Sequence, residues 1–253
     1  MTAVNVPTQT ALTTQGNVAT VTFSSEAGVS VLSSHVLGDL TNIVERLSGD
    51  SDIRFVVFRG TAKTFLAGAN IAEMSRFTED QGLSLSKHGH TIFNAIELLP
   101  QVTFAALNGH TLGGGCELAL ACDFRLMAAG ARIGQPESRL GLIPGWGGTQ
   151  RLPRLIGEAR ARKLLFSGVG IGADEAFKIG LVDEVVESPE NLDAALQRWF
   201  ELMKPGSPAA IRRIKHALKH RDETNQFSLC FSCSDAREGM SAFLEKRPTA
   251  WST

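Results

Sequence analysis

Two glutamates twenty residues apart, Glu117 and Glu137, stand in local sequence that suits proton transfer. Glu117 closes the run Gly113-Gly114-Gly115-Cys116-Glu117, and Glu137 closes Gln135-Pro136-Glu137. Glycines that open a helix leave backbone N–H groups bare at the positive end of the helix dipole, which makes an anion or oxyanion site. Two carboxylates beside such donors are what proton transfer next to an activated carbonyl requires. The combination implies an enzyme that stabilises an enolate and moves protons or water around it. Each residue also has a plainer reading. Glu117 precedes the apolar Leu118-Ala119-Leu120-Ala121 and would serve simply as a helix N-terminal acid favoured by the dipole. Glu137, on a loop, would be a solvated acid. The small-residue stretch Ala67-Gly68-Ala69-Asn70 is either a tight turn or a place where a ligand reaches the backbone. In the second case it would supply another N–H donor.

Other chemistries are poorly supported. Cys230-Phe231-Ser232-Cys233 has metal-like spacing but lacks the second pair that a zinc site needs. No G-x-S-x-G is present, and no Walker lysine follows Gly113–Gly115. Residues 212–221 form the one basic cluster. Ile211, Ile214 and Leu218 make a narrow apolar stripe beside it, so a solvated helix face is the first reading, with ligand phosphates and then RNA behind it.

Periodicity gives the strands and helices around these residues. Val18–Phe23, Ile53–Arg59, Val102–Leu107, Phe124–Ala129, Ala131–Gly134 and Leu181–Val186 read as strands. Helical spacing runs through residues 31–47, 91–99, 116–121, 149–156, 158–167 and 173–179. Asn70 is placed to cap a short helix. Residues 75–87 read as a polar, mobile segment, and Lys63–Ile71 and Asn108–Gly115 as loop and turn. Strands alternating with helices argue α/β with parallel pairing. After Pro189 the chain reads as helix only, over 191–204, 208–220 and 225–246. This divides it into a βα core, residues 1–190, and a helical C-terminal region, residues 191–253.

A chain of 253 residues with 43% hydrophobic content is ample for one large core. Its net charge of −1 gives no global pull toward nucleic acid or an anionic membrane. Residues 1–16 are rich in Thr and Gln, with no apolar or Arg-rich leader character. Four cysteines at this length are not a disulfide framework, so a cytoplasmic protein without membrane spans is the default expectation.

In these residues the chain resembles the crotonase (enoyl-CoA hydratase/isomerase) superfamily. The resemblance is carried by Lys63-Thr64-Phe65-Leu66-Ala67-Gly68-Ala69-Asn70-Ile71, by Asn108-Gly109-His110 and Gly115-Cys116-Glu117-Leu118-Ala119, and by Gln135-Pro136-Glu137. The stretches 141–152 and 237–247 match as well. The resemblance implies a spiral of ββα units with a helical C-terminal region that mediates trimers, often paired into hexamers. It implies acyl-CoA thioester substrates, with coenzyme A entering as part of the substrate and no metal or other cofactor. It implies an oxyanion hole from the N–H groups of Ala67 and Gly114, and an acid/base pair in Glu117 and Glu137. Retention of both acids favours hydration, with double-bond isomerisation or a specialised hydratase/dehydratase as the alternative. Contacts to the CoA ester are implied for Lys63, Ala67, Gly68, Ala69, Asn70, Ile71, Gly114, Phe243 and Lys246. The chain departs from the family pattern at Asn70, where Asp is usual, and at Val29-Ser30-Val31-Leu32. It departs again at Trp146, which replaces a smaller residue and, with residues 75–90, is a candidate wall of the acyl pocket.

Overall fold

A computed structural model describes residues 7–61 and 63–251; the remaining termini of the two regions expected above, and position 62, lie outside the described residues. The strands are β1 (Gln9–Gln15), β2 (Val18–Ser24), β3 (Phe55–Gly60), β4 (Thr64–Leu66), β5 (Val102–Leu107), β6 (His110–Leu112), β7 (Phe124–Ala128), β8 (Arg132–Gly134), β9 (Ile171–Gly172) and β10 (Glu184–Val186). The helices are α1 (Ser34–Ser48), α2 (Ile71–Met74), α3 (Glu79–Glu97), α4 (Gly114–Ala121), α5 (Gly148–Ile156), α6 (Glu158–Ser167), α7 (Ala173–Lys178), α8 (Leu192–Met203), α9 (Pro208–His220), α10 (Glu223–Cys230) and α11 (Ser234–Glu245).

Successive strands are dealt alternately to two sheets. One sheet runs β1-β2-β3-β5-β7-β10 and the other β4-β6-β8-β9. Thus β3 and β4, β5 and β6, and β7 and β8 each send one strand to each sheet before a helix follows. That is the spiral of ββα units. Pairing is parallel except for β1 with β2 and β8 with β9. The central strands β3 and β5 are buried on both faces, as near-continuous apolar runs in parallel sheets should be. Asn108 cross-ties the turns of the spiral: its side chain accepts from Gly60 N–H (2.9 Å) and donates to the Thr64 carbonyl (3.3 Å).

Local expectations are corrected at several points: the expected loop Lys63–Ile71 and turn Asn108–Gly115 each contain a short strand, β4 and β6. Residues 75–87 are not an irregular mobile segment. Most belong to α3, which starts twelve residues before position 91 because Thr78 and Gln81 form a capping box. Part of the polar N-terminal stretch is β1, an edge strand with Gln9, Thr13, Thr14 and Gln15 exposed. The final helical run is broken at Phe231–Cys233 into α10 and α11.

The larger apolar core lies between the two sheets and α1, α3 and α4. A second core forms on the outer face of the six-stranded sheet. There Phe55, Val57, Phe104 and Leu126 meet Leu192, Leu196 and Phe200 of α8. Beyond α8, the apolar side chains of the C-terminal helices remain open: Ile214, Leu218, Phe227 and Phe231 are all exposed.

Candidate active site

Three segments far apart in sequence converge because β4, β6 and β8 are parallel neighbours. Residues 67–71, 113–117 and 135–137 each leave the carboxyl end of one of these strands. Ligands in α/β folds characteristically bind at strand carboxyl ends. Together with one face of α3 and the loop 142–146 they enclose a cavity of ≈ 420 Å³. Glu117 and Glu137 both line it.

Glu117 sits in the first turn of α4, a helix buried all round, and is only 2% exposed. Its Oε1 accepts from the N–H groups of Trp146 (2.7 Å) and Gly148 (2.8 Å). Burial raises its pKa, and hydrogen bonds from the Gly148, Trp146 and Gly145 N–H groups and the charge of Arg151 oppose the rise. Glu137 begins a single 3-10 turn, Glu137–Leu140. Burial, with the Glu117 charge adding to it, lifts its pKa to about 7. A hydrogen bond from its own backbone N–H opposes the rise, and Gln135, also buried, can donate its amide to both Glu137 oxygens (2.9 and 3.1 Å). Two carboxyls with such different surroundings can divide the acid and base roles between them. Cys116, between them in the core, is held as a thiol, chiefly by burial and then by the two carboxylates, and is no nucleophile.

The backbone donors correct one sequence expectation. Gly114 is the first residue of α4, and that helix start has no side-chain cap, so its N–H is open to the cavity. Ala67 is different. Its N–H already donates to the Ser30 carbonyl at 2.8 Å and is not available to a ligand. Gly68, with φ of 113°, then turns the chain. Leu32 binds the Gly68 carbonyl and receives the Asn70 N–H, a parallel bridge opposite Ala69. In that bridge the N–H of Ala69 points away from Leu32, and among the described residues it has no partner. The open donor on this rim is therefore Ala69. The segment Val29–Leu32, where the chain departs from the family pattern, is what holds this rim in place.

Glycine at 114 is also a packing requirement. A Cβ there would lie 2.2 Å from the Trp146 ring, and a Cβ at Gly89 of α3 would meet the same indole at 2.2 Å. Trp146 is thus clamped between α3 and α4, edge-on to Phe93. It is 4% exposed, yet it lines the cavity wall. Asn70 caps α2, accepting from Glu73 N–H (3.3 Å), and Ile71 reaches the cavity. Lys63, Phe243 and Lys246 do not line the cavity in one protomer. Phe243 is 83% exposed on α11, and Lys246 ends that helix.

The basic cluster on α9 is corrected too. Lys215 lies against Asp123 (2.7 Å) and Lys219 against Glu97, so two of its charges are neutralised on the core instead of facing solvent. Within residues 75–90, Ser86 and His90 line the cavity from α3, as the expected pocket wall. Their spacing with Gly82, Leu85, Gly89 and Phe93 is helical, a signal that becomes visible once the Thr78–Gln81 capping box extends the helix.

Comparison with known proteins agrees with this geometry. The family model described as "Enoyl-CoA hydratase/isomerase" matches residues 13–253. A short-chain-enoyl-CoA hydratase of Clostridium acetobutylicum is 38% identical over 244 residues, covering 92% of this chain and 93% of that protein. A crotonyl-CoA hydratase of Syntrophomonas wolfei is 39% identical over 230 residues, 87% of this chain and 88% of the relative. The crystal structure of an enoyl-CoA hydratase from Bacillus anthracis superposes with a TM-score of 0.88 at 34% identity, covering 96% of this chain and 98% of that one. Fold, site and similarity coincide over nearly the whole chain, which belongs to the enoyl-CoA hydratase/isomerase family.

Proposed function

We propose that the protein adds water reversibly across the C2–C3 double bond of a 2-enoyl-CoA thioester. The observation that carries this reading is the presence of both carboxyls, Glu117 and Glu137, in one cavity beside two open backbone donors. The N–H groups of Ala69 and Gly114 would hold the thioester oxygen. Glu117, as carboxylate, takes a proton from water, and the hydroxide oxygen bonds to C3. The double-bond electrons move to the thioester oxygen as an enolate, and Glu137, protonated near neutral pH, delivers its proton to C2. Proton exchange with solvent returns both groups to their starting states. Water and the enoyl thioester are the only reactants, and the 3-hydroxyacyl thioester is the only product.

The test is a panel of enoyl-CoA esters, followed by loss of conjugated-thioester absorbance and identification of the product. The named relatives direct the panel first to short acyl groups. Formation of 3-hydroxyacyl-CoA is expected. Double-bond migration without hydration would replace this reading with isomerisation.

Two further expectations arise here. Ala69→Pro removes the proposed donor and should lower kcat by about 10²–10³-fold, while Ala69→Gly and Ala67→Gly keep every bond and stay near wild type. Equal loss in all three folded variants would refute the backbone role. Gly114→Pro is a poorer probe, because its ring would collide with Trp146 whatever the N–H does. Lys246 and Phe243 would meet the CoA portion only across a subunit boundary, in a trimer or a dimer of trimers. Lys246→Ala should then raise KM for the CoA ester more than it lowers kcat, since the contact lies away from the reacting carbon. A KM unchanged at both low and high salt would leave Lys246 as an exposed helix end.

A further inference from the structure

Glu117 is aimed by a loop, and that loop has its own anchor. Trp146 donates its N–H to Glu117 (2.7 Å), and its carbonyl accepts from Arg151 Nη1 (2.9 Å). Arg151 is 5% exposed, and each of its three guanidinium nitrogens donates a hydrogen bond. Nε donates to Glu97 Oε2 (2.9 Å) and Nη2 to Asn94 Oδ1 (2.7 Å), both on α3. Gly147 makes room for it: a Cβ there would lie 2.1 Å from Nη1, and its φ of 112° suits glycine.

We propose that Arg151, held by Glu97, is the positioning residue that fixes the Gly145–Gly148 loop and thereby the carboxylate of Glu117. The arrangement has three stages. Glu97 also receives Arg154 and Lys219 of α9. Burial disfavours its charge, but Lys219, Arg151 and Arg154 outweigh burial and hold its pKa at about 2, so it stays ionised across the working pH range. An ionised Glu97 gives the buried guanidinium the partner it requires. The guanidinium fork then fixes the Trp146 carbonyl and leaves the Trp146 and Gly148 N–H groups pointing at Glu117. Lysine cannot substitute, since one ammonium cannot serve three acceptors in fork geometry. An ion pair elsewhere, with its arginine buried, shows what a purely structural pair looks like. Arg125 donates to Asp183 (3.0 Å) and to the carbonyls of Leu181 and Cys122, and neither member of the pair lines the cavity.

The kinetic part of the test rests on the hydration reading; the exchange part does not. In the full-length enzyme, Arg151→Gln should lower kcat by about 10²-fold, the scale of a small misplacement of a catalytic group, with KM changed by less than about threefold. Its acid limb should move to higher pH, because Glu117 loses a nearby positive charge. Arg151→Lys should recover only part of kcat. Glu97→Gln should shift kcat and the acid limb the same way by a smaller amount, and Asp183→Asn should shift neither. Amide hydrogen exchange at Trp146 and Gly148 should quicken in the Arg151 and Glu97 variants only. A folded Arg151→Gln protein with wild-type kcat, acid limb and exchange would overturn the proposal. If that variant does not fold, Glu97→Gln decides by the same readouts. If the wild-type protein hydrates no enoyl thioester, the hydration reading falls and exchange still decides the role of Arg151.

Discussion

Glu117→Gln and Glu137→Gln should each lower turnover by roughly 10²–10⁴-fold while sparing CoA-ester binding, because each removes a proton-transfer group and keeps its shape. The two losses should differ in pH dependence. Glu137 has its pKa raised to about 7 by burial and by Glu117, so it is largely protonated below neutrality and loses its proton as pH rises through that value. As the acid that delivers a proton to C2, it should give kcat an alkaline limb near pH 7. That limb should be absent from the residual activity of Glu137→Gln. Glu117 is needed as carboxylate, and its pKa is also raised, so it sets the acid limb. The two limbs belong to a coupled pair, since the Glu117 charge adds to the rise at Glu137. Near-normal hydration by either variant would remove that residue from the mechanism. Persistent double-bond migration in Glu137→Gln with hydration abolished would point to the isomerase reading.

Removal of residues 191–253 should give aggregate or unfolded chain and no smaller active enzyme. The reason lies first on the sheet. Leu192, Leu196 and Phe200 of α8 are buried against Phe55, Val57, Phe104 and Leu126, with Phe55 and Phe200 stacked at 4.6 Å. Each of these three side chains is worth about 1.5–3 kcal/mol on burial. Their sum rivals the whole net stability of a typical domain, about 5–15 kcal/mol. The fragment would also lose the caps that Lys215 places on Asp123 and Lys219 on Glu97. The exposed Phe227, Phe231, Phe243 and Leu244 supply the second reason. An apolar surface of this kind marks a site of association, which supports the proposed trimer or dimer of trimers assembled through the C-terminal helices. Sedimentation of the full chain and of the fragment checks both points. A soluble, active, monomeric 1–190 fragment would refute the assembly and the CoA contacts of Phe243 and Lys246 together.

The features legible in the chain before folding are local. The double-sided apolar runs of β3 and β5 specify buried parallel strands, and the glycine run before Glu117 specifies a bare helix start. The capping box Thr78–Gln81 was equally legible, and it corrects the expectation of a mobile segment at 75–87. These features depend on neighbours within a few residues, and periodicity and capping report such neighbours directly. Tertiary structure alone decided which groups meet. The choice of Ala69 over Ala67 turns on a hydrogen bond to Ser30, thirty-seven residues away, and on the direction imposed by Gly68. The clamp of Trp146 between Gly89 and Gly114 joins three elements that no pattern links. Arg151 resembles an ordinary helix cation until the fold buries it and supplies Glu97, Asn94 and the Trp146 carbonyl. The protonation state of Glu137 is likewise set by burial and by Glu117. Burial, donor direction and charge proximity are properties of space, and the parallel order of β4, β6 and β8 creates that space.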